Sequence, residues 1–70
     1  MTPAECKARR RALGLSTMEF GRVVGAAPRS VRRWEDGSQD VPRSAEIIVT
    51  LIETFPAVRK FMGVKPEKKT

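Results

Sequence analysis

The chain has no histidine and a single cysteine, Cys6. Without histidine, a His-based catalytic unit is excluded and a zinc site nearly so. One cysteine forms no intramolecular disulfide, so nothing here marks an oxidising compartment. Long apolar runs are missing too. The longest, Ile47 to Ile52, is interrupted by Thr50, far short of the ~18 residues a membrane span needs. The first residues lack the apolar core of a signal peptide, so the expected location is cytoplasmic. No paired carboxylates stand at a plausible site and no glycine loop is shaped to cradle phosphate. The chain is therefore not expected to be an enzyme or to need a cofactor or metal. Acidic residues are scarce: eight Asp and Glu face fourteen Lys and Arg, for a net charge of +6. That balance favours an anionic partner, nucleic acid or an acidic membrane surface. Seventy residues allow one domain with a modest core, which dimerisation would help to stabilise.

What is present is organised around residues 14 to 37. Ser16-x-x-Glu19 is a capping box, in which each residue's side chain bonds the other's amide. Phe20, Val23 and Val24 follow at helical spacing, predicting a helix over Thr17 to Val24. Gly25 stands where a helix ends in a left-handed residue. Pro28 suits the first position of a new helix, Pro28 to Glu35. Ala27, Val31 and Trp34 form its inner face, and Gly37 ends it. Arg29, Arg32 and Arg33 remain on the outer face. Like charges at this spacing repel slightly. A DNA major groove offers compensation, since arginine is a bidentate donor to guanine. A solvated basic face is the plainer alternative, and the stretch alone leaves both open.

Leu15-Ser16, Glu19, Gly25, Ser30-Val31, Trp34-Glu35 and Gly37, at these spacings, resemble the helix-turn-helix of the Cro and phage-repressor family, also called the xenobiotic-response-element family. The likeness runs from about Glu5 to Ile52. Pro42 and the run Ile52-Glu53-Thr54-Phe55-Pro56 further resemble short antitoxin-like regulators. The resemblance implies an all-α, lambda-repressor-like bundle of four to five helices. It also implies a bacterial or phage protein associated with the nucleoid, binding double-stranded DNA to regulate transcription, as a repressor by expectation. Base contacts would fall to Arg29, Arg32 and Arg33, with Pro28 offering apolar contact to a thymine methyl. Phosphate or minor-groove contacts would fall to Ser16, Thr17, Ser30 and Arg43. The family often has glutamine where this chain has Thr17 and Pro28, which shifts readout onto the arginines. It commonly places arginine and glutamate at positions 10 and 35, implying a structural ion pair between Arg10 and Glu35. It has a small residue at position 21 because the next helix crosses close by.

The remaining chain reads in order. Thr2-Pro3-Ala4-Glu5 is a capping box that opens a first helix, Pro3 to about Leu13. Its apolar positions are few: Cys6, Ala8 and Leu13. The family usually has a large apolar residue at position 9, so the Arg9 stem is expected along the core with its head in water. Cys6 reads as a reactive thiol among cations or as a small buried hydrophobe, with the Leu13 spacing favouring the second. Trp34 reads as a base-stacking platform or as core, and its inner position favours core. Pro42 opens a fourth helix to about Thr54, whose apolar face is wider than a surface helix needs. Pro56 breaks the pattern. A fifth helix to Met62 would turn Val58, Phe61 and Met62 inward. The expected domain is 1–63, with 64–70 a disordered basic tail.

Two functions from different classes fit. The first is sequence-specific duplex binding. The second is an antitoxin-like interaction module whose last two helices grip a partner protein. Membrane binding is disfavoured, because no large apolar outer face accompanies the arginines. A homodimer is expected through Val49, Ile52, Phe55 and Phe61. The competing reading is that the fifth helix folds back over that face.

Overall fold

The computed structural model describes residues 1–64. Its elements are five helices: α1 Pro3–Ala12, α2 Thr17–Val24, α3 Pro28–Asp36, α4 Arg43–Thr54 and α5 Pro56–Phe61. The described residues contain no strand. None of these helices is long and apolar enough to cross a membrane.

Local chemistry sets the boundaries. At α1, the Glu5 amide donates to Thr2 Oγ1 (3.1 Å) and the Thr2 amide to Glu5 Oε1 (2.8 Å). The Thr2 amide bond holds the Glu5 carboxyl below the usual carboxylate range. At α2, the Glu19 amide donates to Ser16 Oγ (3.1 Å) and the Ser16 amide to Glu19 Oε1 (2.9 Å). These reciprocal bonds satisfy amides that a helix start otherwise leaves open. Gly25, at φ +75°, ends α2 in the left-handed region. The Ala26 amide then reaches back to the Gly21 carbonyl (2.7 Å). Pro42 is the residue before α4 rather than its first, and Phe55 is extended because Pro56 follows it.

The core consists of Cys6, Leu13, Phe20, Val31, Trp34, Ala45, Val49, Ile52 and Val64. Burying each large member contributes about 1.5–3 kcal/mol. α3 packs against both α1 and α2, while α4 packs against α2 and α5. The inner face of α3 is therefore held by two other helices, which leaves its opposite face outward.

Several expectations are corrected. Val49 and Ile52 are fully buried, so neither is available for a dimer contact; they sit on the α4 stripe that faces the core. Phe61 does not turn inward: it is 87% exposed. Val58 of α5 and Met62, the residue that caps it, pack on the core. Val64 is core rather than tail. Gly63, at φ +75°, reverses the chain, and the Val64 amide bonds the Arg59 carbonyl (3.0 Å). The domain therefore includes residue 64; the rest of the expected tail, 65–70, lies outside the described residues. Ala8 is exposed. The Arg9 head lies at the surface but is paired there rather than free in water. Its Nε donates to Glu53 Oε2 (2.9 Å), and its Nη2 to Glu53 Oε1 (2.5 Å) and Thr50 Oγ1 (3.1 Å). This clamp joins α1 to α4.

Candidate nucleic-acid interface

α3 alternates two chemistries at helical spacing. Val31 and Trp34 are buried. Arg29, Arg32 and Arg33 are exposed and stand at i, i+3 and i+4, which makes them neighbours on one side. Arg29 and Arg33 lie about 6 Å apart along the axis, given a rise of about 1.5 Å per residue. Among the described residues no hydrogen bond or ion pair holds any of the three. Their heads are available to an anion.

The rotation of α3 about its axis is fixed by Arg10. Its Nε donates to Glu35 Oε2 (2.6 Å) and its Nη2 to Glu35 Oε1 (3.2 Å). Its Nη1 donates to the Leu15 carbonyl (2.9 Å). One guanidinium thus ties α1 to the end of α3 and to the loop that enters α2. The two side chains are 12% and 10% exposed. The Glu35 carboxylate raises the Arg10 pKa above the ordinary arginine value. A planar fork on a carboxylate is the geometry in which such pairs are strongest. It holds Glu35 away from the outer face of its own helix, where a carboxylate would repel phosphate.

Asp36 lies nearest the arginines in sequence. Its Oδ1 accepts from the Ser38 amide (2.8 Å) and the Ser38 hydroxyl (2.5 Å). These bonds, with a smaller effect of the Arg33 charge, hold its carboxyl below the usual range. Four further acids are also engaged within the chain. Glu5 and Glu19 cap helices, Glu53 holds Arg9, and Glu46 lies 3.4 Å from the Met1 amine. The positive excess is therefore carried by outward arginines and lysines.

The other expected contact residues are more scattered. Pro28, half-buried, is the first residue of α3, and the preceding Ala27 gives no side-chain cap. The first amides of α3 therefore lack the side-chain acceptor that α1 and α2 have. Ser30 is half-buried and its amide bonds the Ala27 carbonyl (3.0 Å). Ser16 is exposed but its hydroxyl oxygen accepts from Glu19, and Thr17 is half-buried beside it. Arg43 is exposed on α4, where it lines a groove with Glu46, Ile47, Thr50 and Leu51, none of them on α3. Sequence reading missed the Arg9–Glu53–Thr50 clamp, since partners more than 40 residues apart carry no local signal. It also missed the Asp36–Ser38 turn, for which an acid two residues before a serine was the available sign.

Cys6 lies inside, fully buried, and burial foremost pushes its thiol pKa up. Among the described residues no cluster of His, Cys, Asp and Glu could hold a metal ion. Comparison with protein families, curated proteins and solved structures finds no match for this chain.

Proposed function

We propose that this protein is a sequence-specific double-stranded DNA-binding protein of helix-turn-helix type, regulating transcription as a repressor. One observation carries the reading. The outer face of α3 presents Arg29, Arg32 and Arg33 unpaired, while its inner face is buried, Glu35 is locked to Arg10 and Asp36 is bonded to Ser38. In this reading α2, the turn at Gly25 and α3 form the binding unit, with α3 lying in the major groove. Arg29 and Arg33 reach base edges, and Arg32 reaches a base or a phosphate. Arginine pairs two donors with guanine O6 and N7, so the preferred half-site contains G. The uncapped start of α3, with Pro28 and Ser30, faces a phosphate, as does the start of α2 at Ser16 and Thr17. Arg43, on a different helix, contributes to backbone attraction only.

Selection of bound duplexes from a random pool tests this. The expected outcome is a short G-containing motif that Arg29→Ala and Arg33→Ala each blur. A pool that stays featureless would overturn sequence-specific binding.

A further inference from the structure

α1 carries Arg9, Arg10 and Arg11 in a row, with Lys7 one turn ahead of the last. The fold uses two of these cations. Arg9 is held by Glu53 of α4 and Arg10 by Glu35 of α3. Lys7 and Arg11 are exposed, and among the described residues no hydrogen bond or ion pair holds either side chain. They stand at i and i+4, where like charges repel slightly. Arg11 is in the last turn of α1, where a cation meets the helix dipole favourably. That effect fades within a turn and gives Lys7 no such role.

The engaged neighbours fix where the free pair stands. Arg9 and Arg10 mark the α4 and α3 flanks of α1, with the buried Cys6 and Leu13 between them. Successive residues turn about 100° round a helix, so Lys7 and Arg11 follow Arg10, about 60° and about 100° farther from the core. On α3, Arg32 stands three residues before Glu35 and is turned outward from it in the same way. The Arg10–Glu35 pair is thus the floor of the α1–α3 crevice, with Arg32 on one rim and Lys7 and Arg11 on the other. The last turn of α1 is also tied to the start of α2. The Gly14 amide bonds the Arg11 carbonyl (2.9 Å) and the Leu15 amide the Arg10 carbonyl (3.3 Å). Arg11 is thereby held close to Ser16 and Thr17. The one acid of α1, Glu5, caps the helix and lies on the Arg9 flank, away from this strip.

We infer that Lys7 and Arg11 form a phosphate clamp on α1, which holds the backbone of a DNA duplex just outside the half-site that α3 reads. This inference rests on the reading of α3 as a DNA-binding helix and extends its footprint to a third helix. The chemistry of the strip selects that partner. The two cations lie about 6 Å apart along the axis, given a rise of about 1.5 Å per residue, and the side chains beside them, Ala4 and Ala8, are small and exposed. A protein partner needs an apolar centre to pack against, and the strip has none. A phosphate backbone is met by charge alone, and small neighbours let it approach the helix closely.

Anisotropy of the full chain on a selected and a random-sequence duplex, across a salt series, tests the clamp. Lys7→Gln and Arg11→Gln should each make the log–log salt slope shallower by about 0.9 and weaken binding at low salt by roughly fivefold to tenfold. The loss should be the same on both duplexes, because phosphate contacts carry no sequence information. Lys60→Gln removes the same charge from an exposed position on α5 and should change little. Lys7 holds nothing within the fold, so its variant should melt like the wild type. Failure of base reading by α3 would remove the preference between the two duplexes; failure of the clamp would leave wild type and variants with equal slopes. Equal slopes overturn the inference, as does a loss for Lys60→Gln as large as that for Lys7→Gln. A wild type that binds neither duplex overturns both readings. If the variants lost affinity for polyglutamate while keeping that for DNA, an acidic protein and not a duplex would be the partner.

Discussion

Arg10 contributes more through position than through charge. It is one of three consecutive arginines, yet only its head reaches both Glu35 and the Leu15 carbonyl. Removing it leaves Glu35 nearly buried without its counter-ion. Loss of one member of such a pair destabilises by about 3–5 kcal/mol. Arg10→Ala should therefore lower the melting temperature far more than Lys7→Ala, whose ammonium is on an exposed position. Equal shifts for the two would show that the pair adds nothing. Cys6 makes a second case at this scale. In the unfolded chain its thiol ionises near about pH 8.5, and burial raises that value in the fold. Above about pH 8.5 the unfolded chain loses a proton that the folded chain keeps. Stability is thus fully present below that pH and declines as pH rises toward the raised folded value. Denaturant midpoints from pH 7 to pH 10 should fall for the wild type and fall less for Cys6→Ala.

The α2–turn–α3 element shows how backbone closeness reverses an ordinary preference. Replacing a mid-helix glycine with alanine would by propensity alone add about 1 kcal/mol of stability. At Gly21 an added Cβ would lie 3.4 Å from the Ala26 carbonyl carbon and well inside contact distance of its oxygen. Backbone cannot swing aside as a side chain does. Gly21→Ala should therefore destabilise by about 1–3 kcal/mol, the usual range for overpacking, and a gain in thermal melting would contradict this account. The close neighbour is the turn itself, at Ala26, and not the body of the next helix. Much of this element was legible in the sequence because its signals are local: the Ser16–Glu19 capping box, the glycine at the turn and the proline that opens α3. The inner and outer faces of α3 also followed from spacing, since Val31 and Trp34 sit three residues apart. The C-terminal half was less legible. A wide apolar helix such as α4 does not say which of its two stripes meets the core. At the end of the six-residue α5, Phe61 and the capping Met62 are both apolar and adjacent, so their spacing could not tell which one turns inward.

At the scale of the molecule, engagement of acids inside the fold decides how the surface meets a polyanion. Arg9 and Arg10 are neutralised by Glu53 and Glu35, whereas Arg29, Arg32, Arg33 and Arg43 are exposed without a bonded partner. DNA affinity should therefore fall linearly on a log–log plot against salt, by about 0.9 for each phosphate neutralised. The mutants should separate by location. Arg43→Ala, off the α3 face, should weaken binding to all sequences alike and make the slope shallower by about one. Arg29→Ala and Arg33→Ala should each lose about 1–3 kcal/mol on the preferred sequence and much less on random duplex, because base contacts carry discrimination. None of the three substitutions removes a buried contact, so melting curves should overlay the wild type. Fluorescence anisotropy on a selected and a scrambled duplex at several salt concentrations measures all of this in one series. If Arg43→Ala altered the preferred sequence while Arg29→Ala changed only the salt slope, α4 and not α3 would be the reading element.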